Sequence, residues 1–250
     1  MSIYECHDPN LLKKLFKNES ETMILSYLQG CEGRAYVDHR LYPQSAQIIV
    51  GDFCFFGGIV HDELLLNACD NLILVPQDES WARRIENLYK EKVHKRIRYA
   101  LLKKKNSFHQ IQYKDIIDSL PQPYHMKKID ISDYYELLSH QWSKDLCLHF
   151  ENEQDYFQHG FGFVIVYDNE IVAGVSSYTY YHSGIEIEID TREDHRQKGL
   201  AKCLGAQMIL ECLNRNIYPS WDAHNPVSLH LSLQLGYHFD REYEVYEFVS

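Results

Sequence analysis

The chain has 250 residues, room for one large or two modest domains, and its apolar fraction of 45% supports a packed core. A formal charge of −11 argues against a general nucleic-acid or anionic-membrane binder, since those surfaces repel acidic proteins, and sits better with a cationic substrate. The seven cysteines, an odd number with no Cys-x-x-Cys pair, predict a reduced cytoplasmic protein, and no secretory h-region or bilayer-length apolar run is found.

Residues 10–29 carry two helical patterns, Leu11-Leu12-x-x-Leu15-Phe16 and Met23-Ile24-Leu25-x-Tyr27-Leu28, with Asp8-Pro9 as a cap region before the first. Residues 46–58 read as two strands about Gly51-Asp52, a hairpin signal. Residues 71–75 predict a strand, 80–89 a helix and 96–102 a strand. This first half is mixed α and β, with no motif assignable to chemistry. The basic run Lys92, Lys95, Arg96, Arg98, Lys103, Lys104 and Lys105 reads first as a solvated strand face and linker, and second as a phosphate or nucleic-acid contact. Periodicity fades over 107–124, which holds Pro121-Gln122-Pro123, so the domain boundary is expected at 123/124.

From His125 the elements come in quick succession. A short strand spans 126–129, and a helix spans 131–141 with Tyr134, Leu137 and Leu138 on its apolar side. A second helical segment covers 154–158. Strands 161–167 and 171–180 flank Asp168-Asn169, a strong turn signal. Then comes Gly184-Ile-Glu-Ile-Glu-Ile-Asp190-Thr191, in which three isoleucines alternate with Glu186, Glu188 and Asp190. That period of two is a strand with one buried face. A turn, Arg196-Gln197-Lys198-Gly199-Leu200-Ala201, leads into a helix apolar over most of its circumference. A strand, a glycine turn and a helix N-terminus together aim backbone N–H groups at an anion. A strand at 218–223, a helix at 225–236 and closing strands at 237–239 and 243–248 complete the chain. Asn225 and Pro226 suit the N-cap and first turn of that last helix, and Gly236 its C-terminal cap.

Arg196-x-x-Gly199-x-Ala201 after a strand resembles the pyrophosphate-binding motif of the GNAT superfamily of acetyl-CoA-dependent N-acyltransferases. The element order of the last 125 or so residues is similar to the superfamily's, and Asn225, Ser228, Gly236 and Tyr237 fit the spacing of its C-terminal helix. The resemblance implies an α/β (α+β) domain over 124–250, a twisted, mostly antiparallel sheet flanked by helices. It does not cover 1–123, a mixed α/β domain. Val50-Gly51-Asp52…Gly58 repeats in spacing as Val166-Tyr167-Asp168…Gly174, so 1–123 is either a degenerate copy lacking the phosphate turn or simply another domain with hairpins. A different strand order in the halves excludes the copy.

The implied function is transfer of acetyl from acetyl-CoA, a co-substrate, to a primary amine of a small molecule. Two-domain bacterial members that modify antibiotic or metabolite amines are similar in outline. By resemblance, the amides of Gln197, Lys198, Gly199, Leu200 and Ala201 hold the pyrophosphate, Arg196 adds charge or pairs with Glu193 or Asp194, and amides near Ile189 and Thr191 hold acyl or pantetheine carbonyls. Asn225 and Ser228 are further cofactor contacts. An amine of pKa ~10.4 arrives protonated, so a carboxylate must take its proton, and Glu186 or Glu188 is the expected base. Which of them faces the cleft depends on any bulge in the strand, and the solvated face of a strand is the plainer reading of either. Ser232 stands where many members have the tyrosine that protonates the leaving thiolate. A serine hydroxyl is a weaker acid, so the usual acid is missing; Ser232, with Ser228 four residues before it, is expected either to bond the sulfur or the pantetheine or to deliver a proton from water, with Tyr237 and Tyr243 as substitutes. The acceptor region by resemblance is 140–155, whose acids with Trp142 and Phe150 would suit a cation, although a polar connection with two core aromatics is the plainer reading. No histidine pattern calls for a metal. The rival readings are a non-catalytic acyl-CoA-binding module, kept alive by Ser232, and a transferase that uses tRNA, disfavoured by the charge.

Overall fold

The structure is a computed structural model that describes residues 2–16, 21–104, 107–108 and 110–249; Lys105 of the basic run lies outside them. By packing the chain forms two compact units. One is Met1–Arg98 with Glu242–Ser250, the other Tyr99–Arg241.

The first unit holds β1 (Tyr4–Glu5), α1 (Thr22–Leu28), β2 (Arg34–Val37), β3 (Ser45–Val50), β4 (Phe53–Gly58), α2 (Asp62–Leu66), β5 (Ile73–Pro76), α3 (Glu79–Tyr89) and the start of β6 (Val93–Leu101). The expected hairpin is there, turning at Gly51, whose φ is +57°. The expected first helix is a 3-10 turn, Pro9–Leu11, capped by Asp8. Strands β1 to β4 pair antiparallel in chain order, and β4 pairs parallel with β5. The core gathers Phe56, Leu64, Leu65, Leu74, Trp81, Ile85 and Tyr246. Tyr246 belongs to the chain's last strand, which pairs with β5 at Leu74.

The second unit holds the end of β6, α4 (Gln110–Asp118), β7 (His125–Lys128), α5 (Ile131–Ser139), α6 (Glu153–His159), β8 (Gly162–Tyr167), β9 (Glu170–Tyr181), β10 (Gly184–Thr191), α7 (Leu200–Asn214), β11 (Tyr218–Ser220), β12 (Asp222–Ala223), α8 (Pro226–Gln234) and the start of β13 (Phe239–Phe248). Its sheet runs β11-β10-β9-β8-β7, antiparallel except for the parallel β10–β11 pair. The β8–β9 turn places Asp168 and Asn169 at positive φ, the mirror-image turn that matches strand twist.

The boundary expected at 123/124 rested on lost periodicity. Packing divides the chain instead at Arg98/Tyr99. The reason is α4, which the sequence reading took for a connection. Its Tyr113 is fully buried in the core under α7 and donates to the Leu235 carbonyl at 2.7 Å. That core faces Ile185, Ile187 and Ile189 of β10, so alternation there sets the buried face as expected.

Candidate functional site

Strand β10 is paired with β9 along its whole length but with β11 only from Gly184 to Glu186. At Trp221 the chain leaves β10, and Asp222–Ala223 pair with Ala100 and Tyr99 of β6 instead. Among the described residues no strand replaces β11 beside Ile187–Thr191. A wedge therefore opens along that edge, and its backbone groups face a gap. Gly205 lets α7 approach closely: a Cβ there would lie 2.6 Å from Leu235 and 3.5 Å from Ile189.

At the end of β10 lies the glycine turn. Gln197 and Gly199 both have left-handed backbone, φ +62° and +80°, which turns successive amides the same way. Gly199 is the N-cap of α7 and offers no side chain to it, so the first helix amides carry no side-chain cap. A Cβ on Gly199 would meet nothing within 4 Å, which leaves the space over the turn open. Beside the turn the Thr191 Oγ1 is buried with no hydrogen-bond partner among the described residues. An open nest of amides, a positive helix end and an orphaned hydroxyl at the edge of a split sheet fit a pyrophosphate with an extended arm.

His195 fastens the turn from below. It is buried, its Nδ1 lies 2.8 Å from the Tyr124 hydroxyl and its Nε2 3.0 Å from the Arg192 guanidinium. Since arginine only donates, Nε2 accepts and Nδ1 carries the proton. Burial holds the His195 pKa below its usual value, with Asp194 opposing. Arg192 itself bridges Asp194 at 2.8 Å and Glu170 at 2.7 Å. Arg196 does not take the expected partners Glu193 or Asp194; its Nε donates to the Thr191 carbonyl at 3.2 Å. Lys198 is exposed and donates to the Asp194 carbonyl at 3.0 Å.

The opposite face of β10 carries Glu186, Glu188 and Asp190, opposite Thr179, Ser176 and Gly174 of β9. The bulge lies in β9, which has an extra residue, Tyr178, beside the Glu186–Ile187 step, so the alternation of β10 continues unbroken. Glu186 is 5% exposed and lies where β10 still has both neighbours; Glu188 and Asp190 lie beyond the split. Over this face sits the 3-10 turn Lys144–Leu146, part of the expected acceptor region. A Cβ on Gly174 would come within 2.6 Å of the Leu146 side chain, so glycine admits the turn. Of the two aromatics expected there, Phe150 is buried and packs edge-on to Tyr156, and Trp142 lies at the core's margin. The rings of His149 and His159 lie against Tyr178 and Tyr180, with centroids 4.2 and 4.5 Å apart.

The α8 side chains bond within their helix and to the corner beside it. Asn225 caps α8, accepting from the Ser228 amide at 2.9 Å, and the Ser228 hydroxyl accepts from the Trp221 indole at 3.1 Å. Both thus hold the Trp221 corner at which the sheet splits. Ser232 is fully buried, and its hydroxyl donates to the Leu229 carbonyl at 2.7 Å, a geometry that argues against a catalytic acid. Tyr237 is buried too, donates to the Pro219 carbonyl at 2.7 Å, and is pushed well above its usual pKa by burial. It is no substitute.

Neither Asp190 nor His195 is among the expected site residues, whereas Asp145 is one of the acids of the expected acceptor region. Asp190 carried a usable signal, as the third acid of the β10 alternation. His195 and its partner Tyr124 carried none, since they are 71 residues apart.

The family model described as GNAT acetyltransferase matches residues 13–246. A GCN5-related N-acetyltransferase-like protein from Streptococcus suis 89/1591 is 41% identical, with a TM-score of 0.93, over 97% of this chain and 98% of that one. "Uncharacterized N-acetyltransferase YdfB" of Bacillus subtilis (strain 168) is 25% identical over 94% of each chain. A tandem GNAT protein from the clavulanic acid biosynthesis pathway, 10% identical, shares the fold over 99% of this chain and 98% of that one at a TM-score of 0.55.

Proposed function

The chain belongs to the GNAT acetyltransferase family, and from that premise we propose that it moves acetyl from acetyl-CoA to a primary amine of a small, cationic molecule. One observation carries this reading: the split of β10 from β11 and the uncapped glycine turn lie at one end of one strand. In this reading the amides of residues 197–201 hold the pyrophosphate, Arg196 and Lys198 add charge, and amides of Ile189 and Thr191 in the wedge orient the thioester carbonyl. Asn225 and Ser228 act on the cofactor through the Trp221 corner. Bound acetyl-CoA supplies an activated acyl group. The deprotonated amine attacks its carbonyl carbon, a C–N bond forms, and the C–S bond breaks with its electron pair leaving on sulfur. Ser232 gives no proton to that sulfur, whose proton comes from solvent. The proton acceptor lies on the acidic face of β10, where Glu186 and Glu188 were expected. That face, with the acidic chain around it, supports a cationic acceptor. All seven cysteines are free thiols, which supports a cytoplasmic setting. No helix among the described residues is long and apolar enough to cross a membrane.

We also propose that the first unit is a degenerate copy of this fold. Its strands β1 to β5 have the order and senses of β7 to β11, each run ending in a parallel pair. In that correspondence hairpin β3–β4 answers to β9–β10, not to the β8–β9 hairpin whose spacing it shares.

Calorimetric titration with acetyl-CoA tests the cofactor site. Wild type should bind, and Gly199→Glu, which puts charge and bulk into the turn, should bind at least about tenfold more weakly, equivalent to ~1.4 kcal/mol. A thiol-release assay across primary amines then identifies the acceptor. No binding to folded wild type would overturn the proposal.

A further inference from the structure

We propose that Asp190 is the residue that takes the proton from the incoming amine, and that Asp145, on the turn above it, draws the ammonium in. The inference rests on the acetyl-transfer reading and deepens it. Asp190 lies between Ile189 and Thr191, on the part of β10 that has lost β11. It is thus the acidic residue nearest in the chain to the amides that face the wedge. Its neighbour across β9 is Gly174, and the Leu146 side chain packs on that glycine. The turn Lys144–Leu146 therefore lies over the Asp190 position and partly buries it, and Asp145 immediately precedes Leu146. Arg196, held on the carbonyl of the adjoining Thr191, brings a positive charge to the same end of the strand. Asp190 thus has both an acid of the acceptor region and a guanidinium of the cofactor turn as charged neighbours, while β9 contributes only a glycine opposite.

The electrostatics follow from that placement. Burial pushes the Asp190 carboxyl up to about 7, the negative charge of Asp145 adds to the rise, and Arg196 opposes it. A base serves best when its pKa lies near the working pH. Of the two rival acids, Glu186 lies behind the split, and Glu188, beyond it, flanks the Ile189 amide alone and stands opposite Ser176 rather than a glycine. In the step itself an N–H bond of the ammonium breaks, the proton forms a new O–H bond on the Asp190 carboxylate, and the electron pair stays on nitrogen. Asp145 is exposed and acts as a positioning residue.

The test uses the full chain as wild type, Asp190→Asn and Asp145→Asn. Carbon-13 NMR of labelled aspartate carboxyls, titrated with acid and base, should show one signal with a midpoint near 7. That signal should vanish in Asp190→Asn and move to lower pH in Asp145→Asn. In thiol release with an amine from the panel, kcat/KM should fall on the acid side with the same midpoint. Asp190→Asn should lose that limb and about 100-fold or more of the rate. Asp145→Asn should shift the limb down and raise the amine's KM more than it lowers kcat. Turnover with the acid limb intact in Asp190→Asn overturns this proposal alone, as does a carboxyl that titrates in the ordinary range. Acetyl-CoA binding with no amine turned over removes the acetyl-transfer reading and the role of Asp190 with it.

Discussion

A hydroxyl can act as an acid only if its proton points at the leaving group. In α8 the Ser232 hydroxyl points at Leu229, within its own helix, and no solvent reaches it. Ser232→Ala should therefore leave kcat within about twofold and cost about 1 kcal/mol or less of stability, measured by thiol release and by urea unfolding. A loss of 100-fold or more in kcat would restore Ser232 as the acid. Two other side chains make stability depend on pH with opposite signs. Asp190 has a raised folded pKa, so its favourable contribution is complete below the unfolded value of 3.8 and is lost as pH rises through about 7. Over that window each pH unit costs up to about 1.4 kcal/mol. Asp190→Asn should then be more stable than wild type at pH 8 and no more stable at pH 4, by thermal unfolding. His195 has a lowered pKa, so its contribution is present above the unfolded value of 6.5 and fades as pH falls below it. The active carboxylate thus works against the fold at the pH where it works for catalysis, as strained functional groups often do.

At the level of elements, what was legible followed from local rules. The alternation of β10, the apolar α7, the Asp168-Asn169 turn and the caps of α8 all stand in the fold as expected, because period and turn chemistry act within a few residues. The missed pieces depend on partners far along the chain. Strand β2 is short and needs β3 to define it, and α4 is buried only because α7 and Leu235 cover Tyr113. The wedge opens because Asp222–Ala223 pair with β6, which joins residues too distant for any pattern. The first unit shows what happens without that departure. There β4 and β5 stay paired from Phe53 to Phe56, and the helix after β4 is only Asp62–Leu66. Among its described residues that unit has neither such a split strand pair nor a glycine turn at a helix start. Calorimetry should therefore give one acetyl-CoA per chain; two equivalent sites would refute the contrast between the pairs.

Each unit is completed by a strand from the far half of the sequence. Val245 and Tyr246, both buried, close the first unit; Tyr246 donates to Glu86 at 2.7 Å, and Lys95 bridges Glu86 and Glu244 at 2.8 and 3.1 Å. In the second unit Tyr99 and Ala100 pair with β12, the Lys104 amide donates to the Tyr218 hydroxyl at 3.0 Å, and Phe108 packs edge-on to Tyr237. A fragment cut at 124 loses all of these together with Tyr113 and α4. Removing one buried aromatic side chain costs about 3–5 kcal/mol, and a domain has only about 5–15 kcal/mol in all. Fragment 124–250, the domain that the sequence reading marks out, should therefore show no cooperative unfolding and bind no acetyl-CoA, whereas 99–241 keeps every contact named for the second unit. Trimming 242–250 from the whole chain should expose amides of β5 and β6 to hydrogen exchange while those of β8 to β10 stay protected, since Tyr246 belongs to the first core. A trimmed chain in which β5 stays as protected as in wild type would mean that the first unit holds together without its last strand, and that the exchange of strands contributes little to either fold.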